Sequence, residues 1–209
     1  MKWILIPLLS LFLTAPVVPT QAQASDDNAL PAMRWSHKPQ RAQWNAAALQ
    51  ALRSHGQALP QTVPADVGSW CPHYPDADTE AREAFWVGFL SALARYESTW
   101  KPRAVGGGGR WFGLLQISPG TARGYGCRAR SGEALKAGGD NLSCAIRIMA
   151  VTVPRDGVIY GRGGKGVAAD WGPMRSAPKR EEMAAWLRTQ PYCTIPAKTS
   201  RRPKKREER

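Results

Sequence analysis

The segment from Asp76 to Ser98 constrains the fold most. Asp76, Asp78 and Thr79 offer caps, Glu80 and Glu83 sit near the end where a helix dipole is positive, and Pro102 follows the far end. Trp86, Leu90 and Leu93 recur in steps of four and three, the spacing of one apolar face. Other helical segments follow the same logic. Trp44, Ala48 and Leu52 share a face between Arg41 and Ser54. Asp140-Asn141 could cap a helix carrying Leu142, Ile146, Met149 and Val153, with Pro154 expected to stop it. Met183, Trp186 and Leu187 mark a short helix ending near Pro191. No run alternates with period two for long enough to predict a sheet, and no internal repeat is present, so the fold class is mainly α.

At 209 residues with 43% apolar content, the chain can bury one sizeable core, giving one domain plus extensions. A net charge of +13 first suggests nucleic acid. The N-terminus argues otherwise. Lys2 precedes an apolar stretch from Trp3 to Leu13, and Ala22-Gln23-Ala24 is a small-x-small site, so residues 1–24 read as a secretory signal peptide. The stretch is too short for a retained transmembrane anchor, and the mature chain is expected to be periplasmic or secreted.

Export changes the meaning of Cys71, Cys127, Cys144 and Cys193: an even count in an oxidising compartment favours disulfides. Three pairings are open. The nested one, Cys71 with Cys193 and Cys127 with Cys144, is favoured because the outer pair brackets the most ordered-looking region. His37, His55 and His73 lack ligand spacing, so no metal and no cofactor are expected.

Residues 25–69 are rich in Ala, Gln and Pro and read as an extension with one short helix, either a linker or a helix packed over the main domain to cover Trp35 and Trp44. Residues 70–195 form the expected domain. Residues 196–209 form a basic tail, either a solvated, disordered end or a docking segment for an acidic partner in the envelope.

Glu97 stands out chemically because it continues the Trp86, Leu90, Leu93 stripe, placing a carboxylate in line with apolar residues. Partial burial would raise its pKa and make it a proton donor near neutral pH; a solvent-facing Glu paired with Arg95 or Lys101 is the other reading. From Ser98 to Gly132 there is no Asp or Glu, while Trp100, Trp111, Phe112, Tyr125 and the run Gly106 to Gly109 surround this isolated acid in sequence. Aromatic rings suit the apolar faces of sugars, and glycines let backbone approach a ligand.

Glu97-Ser98-Thr99-Trp100-Lys101-Pro102, followed by Gly113-Leu114-Leu115-Gln116-Ile117-Ser118-Pro119 and Thr121-Ala122, resembles the catalytic helix end and Gly-Leu-Met-Gln segment of soluble lytic transglycosylases. These are lysozyme-fold enzymes that cut peptidoglycan. The resemblance is clear from about Ala84 to Ala122 and continues more weakly to Pro173. It implies that Glu97 is the catalytic acid and base, with Ser98, Gly113 and Gln116 at the sugar-binding groove. Leu115 replaces the usual Met, a volume-conserving change. Where the family shows Ala-Tyr-Asn-x-Gly, this chain reads Ala169-Asp170-Trp171-Gly172-Pro173, so the family Tyr is absent there. Trp171, Asp170, Tyr160 and Tyr125 are the candidates for neighbouring roles.

The resemblance further implies cleavage of the β-1,4 bond between N-acetylmuramic acid and N-acetylglucosamine, leaving a 1,6-anhydro end. The expected partners are glycan strands, together with an envelope-machine protein if the tail docks; a monomer and no nucleic acid are expected. A hydrolase acting on the same bond and a non-catalytic peptidoglycan-binding assembly protein are the rivals. Gly161-Arg162-Gly163-Gly164-Lys165-Gly166 matches a dinucleotide fingerprint but lacks the surrounding βαβ pattern, and reads as a basic loop beside the groove. Asn141-Leu142-Ser143 fits a glycosylation sequon by chance.

Overall fold

The computed structural model describes residues 30–194. The signal-peptide reading of residues 1–24 and the basic tail at 196–209 lie outside the described residues. Among the described residues seven α-helices dominate: α1 (Arg41–Leu52), α2 (Ala58–Gln61), α3 (Val67–Trp70), α4 (Thr79–Ser98), α5 (Pro119–Gly124), α6 (Gly138–Asp156) and α7 (Ala177–Arg188). The sheet content is two short antiparallel hairpins, β1 (Val105–Gly106) with β2 (Trp111–Phe112), and β3 (Tyr160–Gly161) with β4 (Lys165–Gly166). The fold is mainly α, the class expected from the sequence.

Helix α4 is the axis of the core. Every residue from Glu83 to Ala94 is buried, so the helix is enclosed all round rather than along one stripe, as expected of a central helix. Asp78 caps it, its side chain accepting from the Ala81 N–H at 2.8 Å. The start therefore falls at Thr79, after a 3-10 turn over Tyr74–Asp76, rather than at Asp76. Helices α1, α2 and α7 pack against α4, and α1 and α2 also pack against α6. Buried Glu83 accepts from Arg53 at 2.8 Å, joining the end of α1 to α4.

The segment from residue 30 through α1 shares this core. Trp35 and Trp44 are 0% and 2% exposed and pack edge to face. Arg34 makes a bidentate ion pair with Glu182 of α7, and its backbone N–H donates to Ser91 of α4. Of the two sequence readings for this extension, the packed helix matches the observed burial.

Two boundaries on α6 differ from expectation. The helix begins at Gly138, so Asp140 and Asn141 lie in its first turn instead of capping it. It also continues through Pro154 to Asp156, because a proline so near the end forfeits one hydrogen bond, and Gly157 closes the helix in the left-handed conformation. Asn141 is fully buried, which excludes the sequon as a glycosylation site in the folded chain. The glycine-rich 161–166 run turns the β3–β4 hairpin and leads into no helix that could hold a dinucleotide pyrophosphate. Disulfides join Cys71 to Cys193 and Cys127 to Cys144, the nested arrangement. No helix of the described residues is long and apolar enough to cross a membrane.

Candidate active site

Glu97 emerges where the enclosed part of α4 ends, and is half-buried. Burial pushes its carboxyl up to about 7, with the Lys179 ammonium on α7 pulling in the opposite direction. No hydrogen bond or ion pair from the described residues satisfies this carboxyl group. A carboxylate buried without such partners favours its neutral form, so Glu97 can hold a proton near neutral pH.

The chain around it is strained. Thr99 and Trp100 have φ of 51° and 55°, and Gln116 has φ of 49°; these are the positive-φ non-glycine residues among those described. For β-branched Thr99 the left-handed region is costly, and such strain concentrates at functional sites. It ends α4 just after Glu97, with Thr99 as the left-handed C-cap. Trp100 is then anchored by donating its indole N–H to the Ser91 carbonyl at 2.8 Å, while His37 packs edge to face against the ring at 4.8 Å.

A second segment, from Phe112 to Ile117, is pinned by Asn141. Its Oδ1 accepts from the Leu115 N–H at 2.8 Å, and its Nδ2 donates to the Phe112 and Leu135 carbonyls at 2.9 and 3.0 Å. Gly113 has φ of 82°, and a Cβ there would stand 2.2 Å from the Leu135 oxygen, so only glycine fits. Gln116 donates to the Gly113 and Ala104 carbonyls, linking this turn to the loop that follows Glu97.

The other expected site residues divide. Ser98 is buried and its hydroxyl donates to the Ala94 carbonyl within α4. Trp171 is buried and donates to the Leu115 carbonyl at 2.9 Å. Both donors are occupied by backbone carbonyls, so these side chains brace α4 and the Leu115 turn. Half-buried Tyr125 donates to Asp170 at 3.4 Å. One face of Tyr160 is covered by the Arg180 guanidinium, 3.7 Å from the ring centre, and the residue borders a shallow concavity of about 430 Å³ with Arg162 and Arg175.

Sequence reasoning missed three contributors. Asn141 was taken for a cap, and its partners lie 6 to 29 residues away. Lys179 sits in an otherwise ordinary surface pattern on α7. Glu182 receives Arg34, Arg95 and the Tyr96 hydroxyl at 2.5 to 2.7 Å, tying the N-terminal segment, α4 and α7 together one residue before Glu97. Only the close spacing of Arg95, Tyr96 and Glu97 could have hinted at it. Among the described residues, no three His, Cys, Asp or Glu side chains gather to hold a metal ion.

Residues 77–155 match the model of the transglycosylase SLT domain. Three solved structures of DslA share the fold. The wild-type form matches at 29% identity and a TM-score of 0.72, covering 79% of this chain and 100% of DslA. A Glu→Gln variant matches at 30% identity and 0.71, with 80% and 99% covered. A second Glu→Gln variant aligns at 29% and 0.72. No curated protein matches.

Proposed function

Because this chain belongs to the SLT family of lysozyme-like proteins, whose action is on peptidoglycan outside the cytoplasm, we propose that it is a lytic transglycosylase with Glu97 as its single acid and base. The observation that carries this reading is the Glu97 carboxyl group itself: half-buried, unpaired among the described residues, and raised to about 7. Lys179 is the charge that acts on it, and no carboxylate of the described residues does so. Ordinary glycosidases flank the scissile bond with two carboxyl groups. A lone acid suits a reaction whose nucleophile is carried by the substrate.

In that reaction Glu97 gives its proton to the glycosidic oxygen as the bond to the muramic acid C1 breaks, while the N-acetyl carbonyl of the same sugar supports the developing positive charge. The sugar's 6-hydroxyl then attacks C1 and returns its proton to Glu97. An attached hydroxyl has an effective concentration far above that of a free nucleophile, so no carboxylate is needed to activate water. Gly113 and Gln116 shape the groove from the Asn141-pinned turn, and Trp111, 43% exposed beneath Arg110, offers a ring face for a sugar. Two disulfides support an oxidising, periplasmic or secreted location for this work after removal of residues 1–24.

Mass analysis of muropeptides released from purified sacculi tests the proposal. A transglycosylase leaves 1,6-anhydro ends, one water lighter than the reducing ends left by a hydrolase. Reducing ends alone would overturn it in favour of the hydrolase. Undiminished release by Glu97→Gln would remove the assigned acid.

A further inference from the structure

Lys179 and Glu182 stand three residues apart on α7, a spacing that puts both on the side of the helix turned to α4. Their partners differ. The Glu182 carboxylate accepts twice from the Arg34 guanidinium, at 2.7 and 2.5 Å, once from Arg95 at 2.7 Å and once from the Tyr96 hydroxyl at 2.7 Å. A carboxylate has about four lone-pair sites, so this one is full. The bonds from Arg34 hold its carboxyl below the usual range, and it stays ionised.

Lys179 therefore finds no place on the acid one turn away, and it forms no hydrogen bond or ion pair with any described residue. It meets a ring instead. Its ammonium lies 5.4 Å from the centre of the Tyr96 ring, within the reach of a cation–π contact. The Arg95 guanidinium is 5.8 Å from the same ring but is tied to Glu182. Tyr96 is half-buried, its hydroxyl is anchored by Glu182, and it directly precedes Glu97 on α4. The ring is thus a fixed support beside the acid.

Of the cations around Glu97, Arg34 from the N-terminal segment and Arg95 from α4 are engaged by Glu182, and Lys179 from α7 is the one whose charge acts on the carboxyl group. Yet Lys179 is exposed. Left to itself, a long side chain on a surface helix samples many rotamers in water, where its charge is screened from a half-buried neighbour. We propose that Tyr96 is a positioning residue for Glu97: anchored by Glu182, its ring holds the Lys179 ammonium beside the carboxyl group. The inference rests on the assignment of Glu97 as the acid. It has a consequence that charge alone does not give. Burial raises the Tyr96 phenol above its ordinary range, so it is uncharged at neutral pH, and replacing it removes no charge from the site.

NMR titration of the Glu97 carboxyl carbon in the full chain tests this. Tyr96→Leu should raise the midpoint by about half a pH unit, the shift expected of Lys179→Met, and the alkaline limb of kcat/KM should move with it. Tyr96→Phe keeps the ring and should retain most of the wild-type position. In a Lys179→Met background Tyr96→Leu should add nothing, which separates loss of the ammonium from a change in burial. A Tyr96→Leu midpoint equal to wild type, a shift as large for Tyr96→Phe as for Tyr96→Leu, or a shift that persists without Lys179 would overturn the inference. A wild-type midpoint of about 4 to 5 would instead contradict the assignment of Glu97, while the differences between variants would still decide the role of Tyr96.

Discussion

Asn141 and Leu115 are joined at the centre of the fold: the buried amide oxygen of Asn141 accepts from the Leu115 N–H at 2.8 Å, and the Trp171 indole holds the carbonyl of the same residue at 2.9 Å. The peptide groups on both sides of Leu115 are thereby fixed, and with them the turn that carries Gly113 and Gln116. Asn141→Ala removes three hydrogen bonds, two of them fully buried, and leaves backbone groups unpaired, at a cost of about 2–4 kcal/mol. Trp171→Phe, which keeps a ring but loses one bond, should cost about 1–2 kcal/mol. Urea denaturation measures both, and activity should fall in the same order.

Gly113→Ala is predicted to be worse than its size suggests. The added carbon would meet the Leu135 oxygen and the Asn141 amide at 2.2 and 2.3 Å, in a backbone conformation that alanine disfavours. A loss of about 3 kcal/mol or more is expected from strain plus displacement of Asn141. Chemical denaturation of the variant checks this, and stability within 1 kcal/mol of wild type would mean that the turn is not clamped as described.

Lys179→Met should move the pH profile. The ammonium favours the charged form of Glu97, so removing it raises the carboxyl's pKa further and carries the falling alkaline limb of kcat/KM to higher pH. The displacement expected for a charge on an exposed side chain is about half a pH unit. Stability follows the same sign. With a folded pKa of about 7 against 4.5 for an ordinary glutamate, the contribution of Glu97 is fully present below 4.5 and is lost as pH rises through 7. Glu97→Gln should therefore be more stable than wild type above pH 7, by about 1–3 kcal/mol, and similar to it at pH 4. Denaturation at the two pH values checks the difference.

The two disulfides should contribute unequally. Cys71–Cys193 spans 122 residues and Cys127–Cys144 spans 17. In the chain-entropy model these loops are worth about 5 and about 3 kcal/mol. Paired Cys→Ala variants, compared by thermal unfolding, should show the larger loss when Cys71 and Cys193 are replaced.

What could be read from the sequence was local. Helical spacing placed α1 and α4 to within a few residues, because each carries its apolar face or enclosure in its own sequence. Glu97 was visible for the same reason, as a carboxylate continuing the line of Trp86, Leu90 and Leu93. The scaffold behind it was not. Asn141 looks like a cap until Leu115 and Phe112 are brought beside it, and nothing local to Trp171 tells that its indole N–H reaches the Leu115 carbonyl 56 residues away. Trp35 and Trp44 announced that something must cover them, without naming α4 and α6 as the partners. The left-handed backbone at Thr99, Trp100 and Gln116 has no sequence signature, since none of these residues prefers it.

Direct titration of the Glu97 carboxyl carbon by NMR, assigned by its disappearance in Glu97→Gln, tests the central claim most closely. A midpoint near 7 is predicted, well above an ordinary glutamate. A midpoint between about 4 and 5 would contradict the account, because such a carboxylate would have no proton to give at neutral pH.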